Sequence, residues 1–201
     1  MDLTKTATAL QKQNYQVSCF QTTAEATIYL NQQIDHKLVG FGDSETMIEM
    51  GLYEQLASHN DVYDPKHPRD GLDFYAIARK CLLTDIFLTS VNGLAETGEM
   101  VNIDGTGNRI AGSLFGHQKV YFVIGSNKIA PTLDEAIWRA RNIAAPMNAA
   151  RHHYKTPCAI KQDHCYDCCS PQRICNAQTI YWRKMNHMDM EVILIEEPAG
   201  F

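Results

Sequence analysis

The sequence predicts an α/β fold with three layers, in which a mainly parallel sheet is flanked by helices. Short apolar segments typical of strands alternate with segments of helical periodicity along most of the chain. Capping-box patterns at residues 22–25 and 132–135 mark the starts of two helices. The run KVYFVIG at Lys119–Gly125 has no polar alternation after its first residue, which is typical of a buried strand. This order favours parallel strands with helices on both faces.

The predicted elements follow in order along the chain. The first half supplies a helix-compatible segment at 3–13, a strand at 15–20, a helix at 23–34, a strand at 37–42, helical turns at 44–57, a polar loop at 61–70, a helix at 73–84 and a strand at 85–89. After a glycine-rich segment come a helix at 107–115, the strand at 119–125, a helix at 133–144 and strands at 178–182 and 190–195. We predict one domain over residues 1–201, with a cysteine-rich appendage at 151–178.

Composition narrows the function classes. A chain of 201 residues buries enough surface to fold without a disulfide or a metal. Its net charge of −5, without a block of Lys or Arg, argues against a nucleic-acid groove or an anionic membrane surface. The N-terminus lacks the apolar core of a signal peptide, and no run approaches the roughly 20 apolar residues of a membrane span. We therefore expect a cytoplasmic protein with reduced cysteines.

Two loops are placed to bind a ligand, because ligands of such sheets bind beyond the carboxyl ends of the strands. One is GFGDSET after the strand at 37–42, and the other is TSVNGLAETGEMVNIDGTGNR at 89–109. The second combines glycines, which allow close backbone approach, with amides and charged groups. A helix start near Gly107, with Arg109 beside it, predicts an anion site. The alternative is that ETGEM and DGTG are turns without a function.

The same residues resemble a family signature. TSVNGLAETGEMVNIDGTGNRIA is similar to the signature of the LUD-domain family, the lactate-utilisation proteins. The family's Gly-Gly-Ser-type loop corresponds to GFGDSETMIEMGL, its Gly-x-Asn-Lys-Ile element to residues 125–129, and its TPC…C-x-x-C…RIC-N tail to residues 156–176. The motifs occur in order over nearly the whole chain. One departure is Asp43, where the family pattern has glycine, and an acid in that loop would repel an anionic ligand.

The resemblance implies a fold like that of the ribose-phosphate isomerase, glucosamine-phosphate deaminase and CoA-transferase group. It also implies a role in oxidising L-lactate to pyruvate alongside iron–sulfur partner proteins. By analogy with CoA-transferases, Glu96 is the candidate nucleophile or general base, and the alternative is a solvated turn carboxylate. Lys128 and Arg109 are candidates for holding a carboxylate or phosphate, with plain surface charge as the alternative.

The candidate ligand-binding residues share a place in these loops, and most have small or polar side chains. They are Gly42, Ser44, Thr46, Ser90, Asn92, Thr97, Gly98, Asn102, Asp104, Gly105, Gly107, Asn108, Arg109, Asn127 and Lys128. For the asparagines of the second loop, the alternative to ligand binding is that they cap turns.

Five of the seven cysteines lie in the polar tail between Cys158 and Cys175. Metal binding is the favoured interpretation of this cluster. Cys165-x-x-Cys168 is a short chelate pair, which Cys158 and Cys175 would complete to four thiolates. Cys169 follows Cys168 directly, so its side chain should point elsewhere.

Four thiolates suit a [4Fe–4S] cluster or zinc, and we favour the cluster because the implied partners are iron–sulfur proteins. The alternative ligands are His152, His153 and His164. Cys19 and Cys81 lie in apolar patterns and are predicted to be core residues.

The sequence thus predicts a component of L-lactate utilisation that binds a small anionic ligand and acts with iron–sulfur proteins. Two alternatives stay open: an enzyme acting on a sugar phosphate or CoA ester, and a metal- or redox-responsive regulator. The sequence leaves open the substrate, whether the chain alone catalyses, and the oligomeric state, a homo-oligomer included.

Overall fold

Two sheets organise the protein in the computed structural model, which describes residues 3–201. The larger sheet contains, in spatial order, β1 (Gln16–Phe20), β10 (Asp189–Ile195), β7 (Lys119–Gly125), β4 (Ile86–Thr89), β2 (Leu38–Phe41) and β3 (Asp61–Tyr63), with all neighbours parallel. The smaller sheet contains β8 (Ile129–Ala130), β5 (Gly93–Ala95), β6 (Met100–Asp104) and β9 (Ala177–Tyr181). In it β6 is antiparallel to both neighbours, and β5 is parallel to β8. The predicted α/β class with a mainly parallel sheet is confirmed.

Helices connect these strands. They are α1 (Leu3–Lys12), α2 (Thr23–Gln33), α3 (Glu45–Glu49), α4 (Leu52–Ala57), α5 (Phe74–Cys81), α6 (Asn108–Leu114), α7 (Leu133–Arg139), α8 (Ala145–Arg151) and α9 (Pro157–Lys161). A π-helical turn, Ala140–Ala144, joins α7 to α8. The capping box predicted at the start of α2 is present, because Thr22 and Glu25 each accept the other's backbone N–H. No helix within residues 3–201 is long and apolar enough to cross a membrane.

Both faces of the larger sheet are buried, which explains the continuous apolar run of β7. Val120, Phe122 and Ile124 point into one core cluster, which also holds Leu10 of α1. Tyr121 and Val123 point into the other. Each aliphatic side chain buried in this way contributes about 2 kcal/mol to folding.

The structure corrects several predicted boundaries. The predicted helical stretch 44–57 is two helices, which Gly51 separates with a left-handed φ of +59°. The predicted loop 61–70 begins with the edge strand β3. The predicted helix 133–144 continues to Arg151 through the π turn.

The two cysteines predicted to be core residues differ. Cys81 is buried, as predicted, but Cys19 is exposed. The reason is that β1 lies at the edge of the sheet and pairs only with β10, so its side chains are not covered on both faces.

Candidate functional site

A small polar cavity that opens to solvent lies beyond the carboxyl ends of β2, β4 and β7. The loops after these three neighbouring strands form much of its wall, as expected for a parallel sheet. Six residues predicted from sequence line it: Ser44, Ser90, Asn92, Asn102, Arg109 and Lys128. The structure therefore brings together residues from both predicted loops and from the Gly-x-Asn-Lys-Ile element.

Lys128 is the most unusual charge in the cavity. It ends a 3₁₀ turn, Ser126–Lys128, that directly follows β7, and its side chain is only 3% exposed. Its Nζ donates hydrogen bonds to Thr46 Oγ1 at 2.7 Å and Ser90 Oγ at 2.9 Å. Burial, with a smaller contribution from Arg139, lowers the pKa of Lys128 to about 7. The amine is thus divided between its charged and neutral forms near neutral pH.

Arg139 fixes the loops around this lysine. Its Nε donates to the Asn127 carbonyl at 2.8 Å and its Nη1 to the Asn92 carbonyl at 2.6 Å. Burial lowers the pKa of Arg139 to about 10. One guanidinium from α7 therefore holds the loop after β4 and the turn after β7 together.

The predicted residue Asn127 holds the C-terminal segment rather than the cavity wall. Its amide nitrogen donates to the Gly200 carbonyl at 2.8 Å, and its amide oxygen accepts the Ala199 N–H at 3.1 Å. Thr46, also predicted, donates to the Ala199 carbonyl at 3.3 Å. The segment of residues 199–201 consequently lies against the cavity, and Phe201 is part of its lining.

The predicted anion site at the start of α6 is wrong, because a carboxylate of the chain already occupies it. Asp104 accepts the backbone N–H groups of Thr106, Arg109 and Ile110 at 3.1–3.2 Å. Three donors that a ligand would need are therefore satisfied internally. Arg109 still lines the cavity, and its Nη2 lies 3.6 Å from Asp104 and donates to the Ile103 carbonyl.

Three predicted residues lie away from this cavity, at the tip of the β5–β6 hairpin. Glu96, the candidate catalytic residue, forms an ion pair with Lys5 of α1 at 2.7 Å. Thr97 donates to Glu99, and Gly98 turns the chain with φ +100°. This tip is the end of the hairpin that lies away from β4. Asn92 and Asn102 lie at the other end, where the chain enters the hairpin from β4.

The asparagines at the near end serve the backbone. Asn92 Oδ1 accepts the Ile103 N–H at 2.7 Å, and Asn102 Nδ2 donates to the Ser90 carbonyl at 3.2 Å. The turn-capping alternative therefore describes these bonds, although both residues also line the cavity. Asn108 is the first residue of α6.

The remaining predicted glycines serve close packing and turns. A Cβ on Gly42 would lie 2.9 Å from Thr89 Oγ1, and one on Gly105 would lie 2.8 Å from the Ile174 carbonyl oxygen. Gly107 caps α6 with φ +91°, a conformation that glycine adopts readily.

Two basic or polar residues of α8 complete the cavity and were missed from sequence. Arg151 and Asn148 both line it, and Arg151 forms an ion pair with Glu45 of α3. The helix predicted from sequence ends at residue 144, before Pro146, because proline usually ends a helix. Here the π turn ends at Ala144, two residues before the proline, and the helix continues past it.

Asp43, the departure from the family pattern, keeps the backbone shape that glycine would take. Its φ is +56°, in the left-handed region. Its carboxylate lies 3.3 Å from Lys66 Nζ. Burial raises the pKa of Asp43, although Lys66 and Arg109 oppose the shift. Pairing with Lys66 reduces the repulsion of an anion that the sequence predicted.

The cysteine tail forms a separate region on the π turn. The N–H of Cys165 donates to Asn142 at 3.1 Å, and Arg173 donates to the carbonyls of Cys168 and Cys175 at 2.8 and 3.0 Å. Cys158 lies on α9. Within residues 3–201, no three His, Cys, Asp or Glu side chains are grouped as they would be around a metal ion. The side chains as placed do not form a four-thiolate site, and metal binding stays a prediction.

The chain matches the family model described as the LUD domain over residues 3–195. Its fold is similar to the crystal structure of a DUF162 family protein from Deinococcus radiodurans, with a TM-score of 0.54, 13% identity, and coverage of 96% of this chain and 95% of that one. That likeness concerns the fold alone. No curated protein matches the chain.

Proposed function

Because the chain belongs to the LUD-domain family, which is associated with lactate utilisation, we propose that it takes part in the oxidation of L-lactate to pyruvate. In this proposal the cavity around Lys128 binds the small carboxylate. Removing two electrons and two protons from L-lactate requires an acceptor, and an iron–sulfur partner protein is the acceptor that we propose.

The observation that carries the proposal is a buried lysine whose close partners are hydroxyl groups, in a cavity that arginines also line. Burying a cation without a counter-charge is costly, and a bound carboxylate would offset that cost. Three acids lie around this lysine, and each has another partner. Glu45 and Asp43 line the cavity and pair with Arg151 and Lys66, and Glu49, whose charge acts on Lys128, accepts the Gly200 N–H. A carboxylate entering the cavity would thus meet Arg109 and Arg151, which already pair with acids, and Lys128, whose hydrogen bonds go to hydroxyl groups.

The polarity of the cavity suits a compact acid with one further oxygen. Guanidinium groups hold carboxylates through paired hydrogen bonds, and Arg109 and Arg151 are the candidates. The oxygen on the adjacent carbon would then lie near Lys128 and Ser90. Acyl transfer from a CoA ester is less well supported, because its candidate nucleophile Glu96 pairs with Lys5 outside the cavity.

Calorimetric titration of the purified protein tests the binding. L-Lactate and pyruvate are expected to bind, and Arg109→Gln is expected to weaken both by roughly tenfold or more, as for the loss of a charge-assisted hydrogen bond. Glu96→Gln is the matched control and is expected to bind normally. Loss of binding in the Glu96 variant with normal binding in the Arg109 variant would place the site at the hairpin tip instead. Normal growth on L-lactate after deletion of the gene would count against the role in lactate oxidation.

A further inference from the structure

We infer that the side-chain amine of Lys128 forms a reversible covalent imine with the carbonyl carbon of a 2-oxo acid held in this cavity. The inference rests on the proposed function, since it takes the bound carboxylate to be the oxidised, 2-oxo form of the substrate. Pyruvate is the simplest acid of this class.

The position of the amine is the first support. A lysine that binds an anion only by charge gains from an exposed, flexible side chain, whereas Lys128 is buried in the lining of the cavity. Its turn follows the central strand β7, and Arg139 ties that turn to the opposite loop. The nitrogen is therefore held in one place, as a nucleophile must be.

The second support is the kind of hydrogen-bond partner. Thr46 and Ser90 contact Nζ through hydroxyl groups, which can donate as well as accept. They can therefore bond the neutral amine as readily as the ammonium ion, whereas a carboxylate partner would hold the proton on. A pKa of about 7 agrees with this surrounding and leaves much of the amine neutral, with its lone pair available.

The third support is the arrangement of charge around the amine. Arg109, Arg151, Lys128 and Ser90 line the same cavity. In this proposal an arginine holds the carboxylate and the neighbouring carbon of the acid faces Lys128. In a 2-oxo acid that carbon is the electrophile. In a 2-hydroxy acid it carries a hydroxyl group and cannot form an imine.

The reaction balances without an oxidant or reductant. The lone pair of Nζ attacks the carbonyl carbon, a carbon–nitrogen bond forms, and the carbonyl oxygen accepts a proton. The nitrogen then loses its second proton, the carbon–oxygen bond breaks, and one water leaves. Ser90 and Thr46, whose hydroxyl oxygens lie 3.5 Å apart beside the amine, are positioned to pass these protons.

Reductive trapping tests the inference. The full chain is incubated with pyruvate and sodium cyanoborohydride, and its intact mass is measured. We expect one adduct per chain, with the mass of pyruvic acid less one oxygen, and peptide mapping is expected to place it on Lys128. L-Lactate is expected to give no adduct. Lys128→Met and Lys128→Arg are expected to abolish trapping, whereas Lys5→Met, which changes the lysine paired with Glu96 outside the cavity, is expected to retain it.

The outcomes separate the two proposals. Pyruvate that binds in calorimetry but gives no adduct, or an adduct on another lysine, overturns the imine and leaves carboxylate binding intact. Failure of both pyruvate and L-lactate to bind overturns both. The arginine variant keeps the positive charge, so pyruvate binding without trapping in that variant would support a covalent role for the amine.

Discussion

Replacing Lys128 with methionine is expected to make the fold more stable near neutral pH. Methionine has a similar length and can lie in the same buried space, but it carries no charge. The hydroxyl groups of Thr46 and Ser90 would keep each other as partners, since they already lie 3.5 Å apart. The substitution thus removes a desolvated amine and leaves little unpaired.

The magnitude follows from the pKa of the amine. It falls from 10.5 in an unfolded chain to about 7 in the folded one. At about 1.4 kcal/mol per pKa unit, charging the folded amine costs on the order of 5 kcal/mol below pH 7. Losing two hydrogen bonds offsets about 2 kcal/mol of this, so we expect a net gain of about 3 kcal/mol.

The sign of the pH dependence follows from the same values. Between pH 7 and 10.5 the unfolded chain holds a proton that the folded chain has released, so the wild-type protein gains stability as pH rises. The stability gained by releasing this proton is fully present above pH 10.5, the pKa of Lys128 in the unfolded chain. It is lost as pH falls to about 7, the pKa of Lys128 in the folded protein. The advantage of the methionine variant is therefore expected to shrink by up to about 1.4 kcal/mol per pH unit across this window.

Urea unfolding followed by circular dichroism at pH 6, 8 and 9.5 measures the difference. Lys119→Met is the matched control with the opposite sign, since Lys119 Nζ lies 2.6 Å from the buried carboxylate of Glu191 and the pKa of this lysine is raised by that partner despite its burial. That variant is expected to lose about 3 kcal/mol, because the buried carboxylate of Glu191 loses its cation and keeps only the hydrogen bonds from Ser18 and Tyr29. A Lys128 variant that is less stable at pH 6, or whose difference does not change with pH, would refute the reasoning.

Three further predictions concern the surroundings of the cavity and the cysteine tail. Asp104→Ala is expected to lower the free energy of unfolding by about 1–2 kcal/mol in urea titrations, because the first turn of α6 loses its cap, and an unchanged midpoint would contradict that role. Arg139→Gln is expected to weaken pyruvate binding in calorimetry by roughly tenfold, since it unties two loops that must be held in register; equal affinity would mean that the loops hold themselves. After anaerobic purification, bound metal is expected to be lost when Cys165 and Cys168 become serine and retained when Cys169 does. Bound iron with absorbance at roughly 400 nm, as expected for such clusters, would identify an iron–sulfur cluster, and bound zinc without iron would identify a zinc site. A wild-type protein that holds neither metal would refute the metal site.

The sequence predicted those parts of the fold that local physics determines. The apolar run of β7 needs only its own residues to be recognised as a buried strand, and the cap of α2 needs only Thr22 and Glu25. The position of the cavity followed from the rule for parallel sheets. Ser90 came from the polar, glycine-rich loop after the strand at 85–89 and Lys128 from the family resemblance, and the two side chains are hydrogen-bonded.

What could not be predicted depends on contacts between distant residues. The backbone N–H groups at the start of α6 can bind a ligand only if Asp104 does not accept them. The direction of the Asp104 side chain depends on its place as the last residue of β6. The direction of the β5–β6 hairpin, which takes Glu96 away from the cavity, is set by pairing with β8 and β9. Arg151 was missed because a helix can continue past a proline only when the preceding backbone accommodates its ring. The π turn that does so here leaves no local signal in the sequence.

The tie that Arg139 makes between two loops has a consequence for how a ligand exchanges. Because both loops share one guanidinium, neither can swing open by itself without breaking a bond to a backbone carbonyl. Entry and exit then depend on lining side chains that Arg139 does not hold, such as Arg151 and Phe201. A receptor that is already ordered loses little entropy on association, so even a ligand with very few atoms can be held with useful affinity.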